Sequence, residues 1–130
     1  MRKSKINISG FKIGTAENRE GLTGVTVILA PDGGATAGVD VRGCAPGTRE
    51  TDLLDPRKTV QKIHAVVLSG GSAFGLEAAS GCVKYLAEQG VGFPIGNACV
   101  PIVCSAVLFD LMIGDEKAYP DLLMGYEAAK

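Results

Sequence analysis

The sequence predicts an α/β fold with elements in the order β-β-β-α-β-α, and three observations carry that prediction. The apolar run at residues 63–68 has the length of a buried strand. An amphipathic stripe of helical period follows it closely, and the Gly-rich stretch Ser69-Gly70-Gly71-Ser72 joins the two. With 130 residues, the chain has the length of one domain or of part of one.

The first strands fall within residues 24–41. Val25, Val27 and Leu29 alternate with Thr26, Ile28 and Ala30, a pattern suited to a strand covered on both faces. Pro31-Asp32-Gly33-Gly34 is a turn of the Asp-Gly type. Ala37, Val39 and Val41 then alternate with Gly38 and Asp40, so a hairpin is expected. Gly43, Pro46 and Gly47 mark residues 42–50 as loop, and Asp55-Pro56 closes a short segment. Residues 63–68, Ile-His-Ala-Val-Val-Leu, are the expected central strand.

Ser72 is the candidate N-cap of the clearest helix. Ala79, Cys82, Val83 and Leu86 fall at i, i+3, i+4 and i+7, one stripe of that helix, and Gly90 supplies a C′ stop. Residues 101–111 read as a buried strand or as the start of a helix, and periodicity alone does not choose between them. Pro120 is placed to open a last helix with Leu123 and Tyr126 on one side. That helix has no stop signal: Glu127-Ala128-Ala129-Lys130 are good helix formers to the last residue. Residues 1–130 therefore read as a single domain, and as an incomplete N-terminal part of a larger one.

Composition narrows the function. Thirteen Lys and Arg balance fourteen Asp and Glu, with no block of like charge, which argues against nucleic acid as a partner. Met1-Arg2-Lys3-Ser4-Lys5 is basic, but no signal-peptide apolar run follows it. No stretch reaches the roughly 18 apolar residues of a spanning helix, so no membrane partner is expected. Cys44, Cys82, Cys99 and Cys104 form no CxxC pair, and His64 is the one histidine. No metal or other cofactor is expected, and the cysteines read as buried free thiols in a reducing cytoplasm.

The strongest local feature is Gly70-Gly71-Ser72-Ala73-Phe74-Gly75. It lacks the Lys of a phosphate loop and the spacing of a dinucleotide fingerprint. A nucleophile elbow would place Gly one residue earlier after Ser72, and would place its His after the serine, whereas His64 precedes it. Two readings remain: a tight strand-to-helix turn, or a turn whose backbone N–H groups line a substrate pocket. Asp40, Arg42, Arg49, Glu50, Asp52 and Asp55 read as loop charges pairing at a surface, with an Arg grip on a carboxylate as the alternative. His64 reads as a buried structural residue, and Asp110 as a cap or turn residue or as an acid at a sheet edge.

Five blocks in order carry a family resemblance: Gly21-Leu22-Thr23-Gly24-Val25-Thr26-Val27, Val39-Asp40-Val41-Arg42-Gly43, Ala45-Pro46-Gly47-Thr48-Arg49, the stretch from Leu68 through the glycine turn to Leu76, and Val100-Pro101-Ile102-Val103 with Ala106-Val107-Leu108-Phe109-Asp110-Leu111. Together they resemble the L-aminopeptidase/D-esterase family, which includes nylon-oligomer hydrolases. The resemblance runs from about Phe11 to Lys130.

It implies a four-layer αββα sandwich with mixed sheets, like that of N-terminal-nucleophile hydrolases. It also implies an amide-bond hydrolase activated by self-cleavage, in which a freed Thr or Ser attacks the substrate. The nucleophile, its base and the cleavage site would lie beyond Lys130, so no catalytic residue is expected in this chain and the segment alone is expected to be inactive. The implied partners are the remainder of its own precursor, as a second subunit, further copies in a homo-oligomer, and a small peptide or amide substrate. Where nylon-oligomer hydrolases carry a Tyr, this chain has Phe109, which has no hydroxyl, so an apolar pocket wall is what carries over. The candidate substrate pocket is Gly70, Gly71, Ser72, Phe74 and Phe109. The alternative function is a non-catalytic binding or interaction module that uses the helix start at Gly70–Gly75.

Overall fold

The computed structural model describes residues 8–130, so the basic N-terminal stretch lies outside the described residues. The strands are β1 (Lys12–Asn18), β2 (Thr23–Leu29), β3 (Thr48–Arg49), β4 (Ala65–Ser69), β5 (Phe93–Ile95), β6 (Ala98–Val100) and β7 (Val103–Val107). The α-helices are α1 (Ala78–Glu88) and α2 (Leu122–Ala129). Five strands build one mixed sheet in the order β1-β2-β4-β7-β3, while β5 and β6 pair separately. β4 and β7 run parallel, joined through α1, and the other neighbours are antiparallel. The fold is thus mixed α/β, and the central strand expected at residues 63–68 is found as β4, shifted to Ala65–Ser69.

Both helices lie on one face of this sheet, α2 over β1 and β2 and α1 against β4 and β7. Val25, Val27, Ala65, Val67 and Val103 point into that layer and meet Ala79, Cys82 and Leu86 of α1 and Ala128 and Ala129 of α2. Val27 and Val67 stand opposite each other in the β2–β4 register, and both are fully buried. The helices themselves touch backbone to backbone. A Cβ on Gly81 would run into the Leu122 carbonyl oxygen, and one on Gly125 into the Ala78 carbonyl oxygen. Only glycine allows that approach.

The α1 stripe ends as its sequence indicates. Gly90 has φ +68°, its N–H donates to the Ala87 carbonyl (3.0 Å), and the Val91 N–H donates to that of Leu86 (2.9 Å). This is a Schellman stop.

Four expectations need correction. The hairpin of residues 24–41 does not form. Beyond Gly33 and Gly34, both at positive φ, residues 36–43 make no strand, and Ala35 alone bridges to Ile63. The partner of β2 is instead β1, an edge strand whose Lys12 and Glu17 hide its alternation. Ser72 does not cap α1. It opens a 3₁₀ turn, Ser72–Glu77, that leads into the helix. Pro120 stands one residue outside the cap of α2: Asp121 is the N-cap, its Oδ1 accepting the Met124 N–H at 2.8 Å. Finally, Leu123 is exposed and Gly125, Ala128 and Ala129 are the buried residues, because α2 docks through its small residues.

Candidate substrate pocket

The glycine turn is pinned to the segment that follows β7. Gly70 N–H donates to the Gly24 carbonyl (2.9 Å), Ser72 N–H to that of Leu108 (2.8 Å), and Leu108 N–H to that of Ser69 (2.8 Å). Gly71 N–H donates to Asp110 Oδ1 at 2.6 Å, and the Thr23 hydroxyl donates to Asp110 Oδ2 at 2.8 Å. Gly71 has φ +80° and Ser72 φ +52°. The left-handed region is uncommon for a serine, and these bonds hold it there. A Cβ on Gly70 would strike Asp110 Oδ2 and Thr23 Oγ1, and one on Gly75 the Gly70 carbonyl oxygen, so both glycines serve close packing.

Phe74 and Phe109 line one open cavity of 480 Å³ with Leu111, Met112, Glu116, Lys117 and Tyr119. The Phe74 and Tyr119 rings stack with centroids 4.7 Å apart and planes 17° apart. Both phenylalanines remain largely exposed, 57% and 67%. Gly70 borders different cavities, one lined by Thr26, Leu68 and Leu108 on the uncovered face of the sheet. Gly71 and Ser72 line neither and instead tie the two regions together. Thus Phe74 and Phe109 converge on one cavity, Gly70 borders others, and Gly71 and Ser72 act as connectors. Sequence reasoning missed Tyr119, whose ring reaches Phe74 from the far side of α1 in the chain. It also missed the Asp110 link to Gly71, for which no local pattern exists.

His64 sits at the other end of β4. It is 5% exposed, and its Nδ1 accepts the Ile102 N–H at 3.1 Å. Burial holds its pKa below the ordinary imidazole value. Four residue steps along β4, at about 3.3 Å each, separate the His64 end from the glycine turn by more than about 13 Å. Ser72 therefore has no histidine partner, and the elbow geometry is absent.

The cysteines are free: Cys82 and Cys104 are buried, whereas Cys44 and Cys99 are exposed, which corrects the expectation for those two. Burial pushes the Cys82 thiol up to about 12, so it is inert near neutrality. The loop charges pair locally, Arg42 with Asp40 (2.6 Å) and Arg57 with Asp55 (2.6 Å). Arg49 bonds the Ser80 hydroxyl at 2.7 Å. Among the described residues, no group of His, Cys, Asp or Glu is placed to hold a metal. No helix among them is long and apolar enough to cross a membrane.

The chain is similar to known proteins along nearly all of its length. It matches peptidase family S58 over residues 5–129, and the chain belongs to that family. An uncharacterized aminopeptidase of Mycobacterium leprae is 50% identical over 107 residues, 82% of this chain and 29% of that protein. Another, from Mycobacterium tuberculosis, is 50% identical over 105 residues, 81% of this chain and 30% of that protein. A 6-aminohexanoate-oligomer endohydrolase of Agromyces is 36% identical over 124 residues, 95% of this chain and 32% of the enzyme. The chain spans about a third of the length of these relatives.

Proposed function

We propose that the complete protein is an amide-bond hydrolase, acting as an aminopeptidase or oligoamide hydrolase, and that these residues form the front part of its larger subunit. Membership of peptidase family S58 across residues 5–129 is the observation that carries this reading. The relatives named uncharacterized aminopeptidase and 6-aminohexanoate-oligomer endohydrolase support short peptides or oligoamides as the substrate class. In this reading a Thr or Ser outside this chain, freed by self-cleavage, is the nucleophile, and its own α-amino group serves as base. The isolation of Ser72 from His64 supports placing the nucleophile elsewhere.

The uncovered sheet face supports a second layer. Ile28, Val66 and Leu68 point away from the helices, and a four-layer αββα sandwich would bury them against a second sheet. Phe74 and Phe109 would then form the apolar wall of a substrate pocket, beside the turn at Gly70, Gly71 and Ser72.

The test compares the isolated 130-residue chain with the protein encoded by the complete reading frame, on aminoacyl anilides and 6-aminohexanoate oligomers. The reading expects turnover by the complete protein and none by the isolated chain. Turnover by the isolated chain that disappears in Ser72→Ala would overturn it.

A further inference from the structure

We propose that Asp110 is the positioning residue of the Phe74–Phe109 cavity and thereby sets its preference for an apolar chain beside the scissile amide. This rests on reading that cavity as the substrate pocket. Three segments meet at Gly71. Its N–H is held by Asp110 Oδ1 at 2.6 Å. A Cβ on Gly71 would stand only 2.5 Å from Tyr119 Cβ and 3.1 Å from Pro120 Cδ, so this segment packs directly on the glycine. The Asp110 neighbours Phe109 and Leu111 form one wall of the cavity, Phe74 beyond the turn forms the second, and Tyr119 stacked on Phe74 forms the third.

Asp110 belongs to none of the strands or helices, so its register against the turn is set by its own bonds and by the Ser72–Leu108 pair. A charge-assisted bond from a carboxylate to a backbone N–H is stronger than a neutral one. The second oxygen is committed to the Thr23 hydroxyl, so the carboxylate is fixed at both ends. The slot between Phe109 and the Phe74–Tyr119 pair therefore keeps one width. A slot of fixed width and apolar lining favours a substrate that carries a leucine-like side chain or a methylene chain over one that carries none.

The experiment uses the complete, active protein and compares leucyl with glycyl anilide. The wild type is expected to prefer the leucyl substrate. Asp110→Ala, which leaves Gly71 N–H unpaired, is expected to lower the leucyl-to-glycyl ratio of kcat/KM about tenfold, through KM for the leucyl substrate. Asp110→Asn keeps an oxygen acceptor and is expected to recover at least half of that loss. If Asp110→Ala does not fold, Asp110→Glu keeps the carboxylate but moves the wall by about one methylene, and is expected to change the ratio at least about threefold.

A merely structural role would lower kcat for both substrates alike and leave the ratio intact, which overturns the proposal. An Asn variant as damaged as the Ala variant also overturns it. A wild type that hydrolyses anilides without preferring leucine removes the pocket reading itself, and one that hydrolyses no amide removes the proposed activity.

Discussion

Along β4, Ala65, Val67 and Ser69 are buried on the helix side, while Leu68, on the opposite side of the same strand, is 46% exposed. The neighbouring strands repeat the contrast. Val25 and Val27 are buried, whereas Ile13, Ile28 and Val66 form a row across three strands on the side away from the helices. Both faces are apolar in sequence, and only one is covered by these residues. A sheet open to water on one side normally carries polar residues there. The apolar row of the open face fits the second layer proposed above, while α1 and α2 cover the other face.

The covered face should break first and hardest where backbones touch. Gly125→Val forces a side chain into the Ala78 carbonyl and should detach α2, at a cost of about 3 kcal/mol or more. Urea unfolding and loss of helical circular dichroism check this. Val67→Ala removes two methyl groups from a fully buried site and should cost about 2 kcal/mol in the same assay. Ser105 sharpens the picture in the other direction. Its buried hydroxyl has no partner among the described residues, so Ser105→Ala should raise stability by about 1 kcal/mol.

His64 adds a pH dependence at the rim of the same face. Its folded pKa lies below the ordinary value of 6.5, so the unfolded chain binds the proton more readily. Stability is then fully present above about pH 6.5 and is lost as pH falls from there toward the lowered folded value. The melting temperature should drop over that window, and His64→Gln should flatten the drop. The smallest effect belongs to the uncovered face. In the isolated chain, Leu68→Ser should change stability by no more than about 0.5 kcal/mol. In the complete protein the same substitution should cost about 2 kcal/mol, if a second layer covers it.

Legibility in the sequence follows the same division. The central strand and α1 were readable because each carries its signal in its own residues, a compact apolar run for the strand and a full helical period from Ala79 to the stop at Gly90 for α1. β1 was not, because an edge strand with Lys12 and Glu17 facing water carries little alternation. Residues 37–41 alternate without forming a strand, because Gly38 and Asp40 hold no partner there and the β2 edge is already taken by β1 and β4. In the candidate pocket, Phe74 and Phe109 were found from the glycine turn and the resemblance. Tyr119 and the Asp110–Gly71 bond arise from contacts between distant segments, which no local spacing encodes.

The proposed function makes these residues one part of a hydrolase whose nucleophile arises by self-cleavage outside this chain. Intact-mass analysis with N-terminal sequencing of the purified complete protein tests it most directly. Two polypeptides are expected, the second beginning with Thr or Ser, together with amide hydrolysis that disappears when that residue is replaced by Ala. A single uncleaved polypeptide that hydrolyses amides at full rate would contradict it.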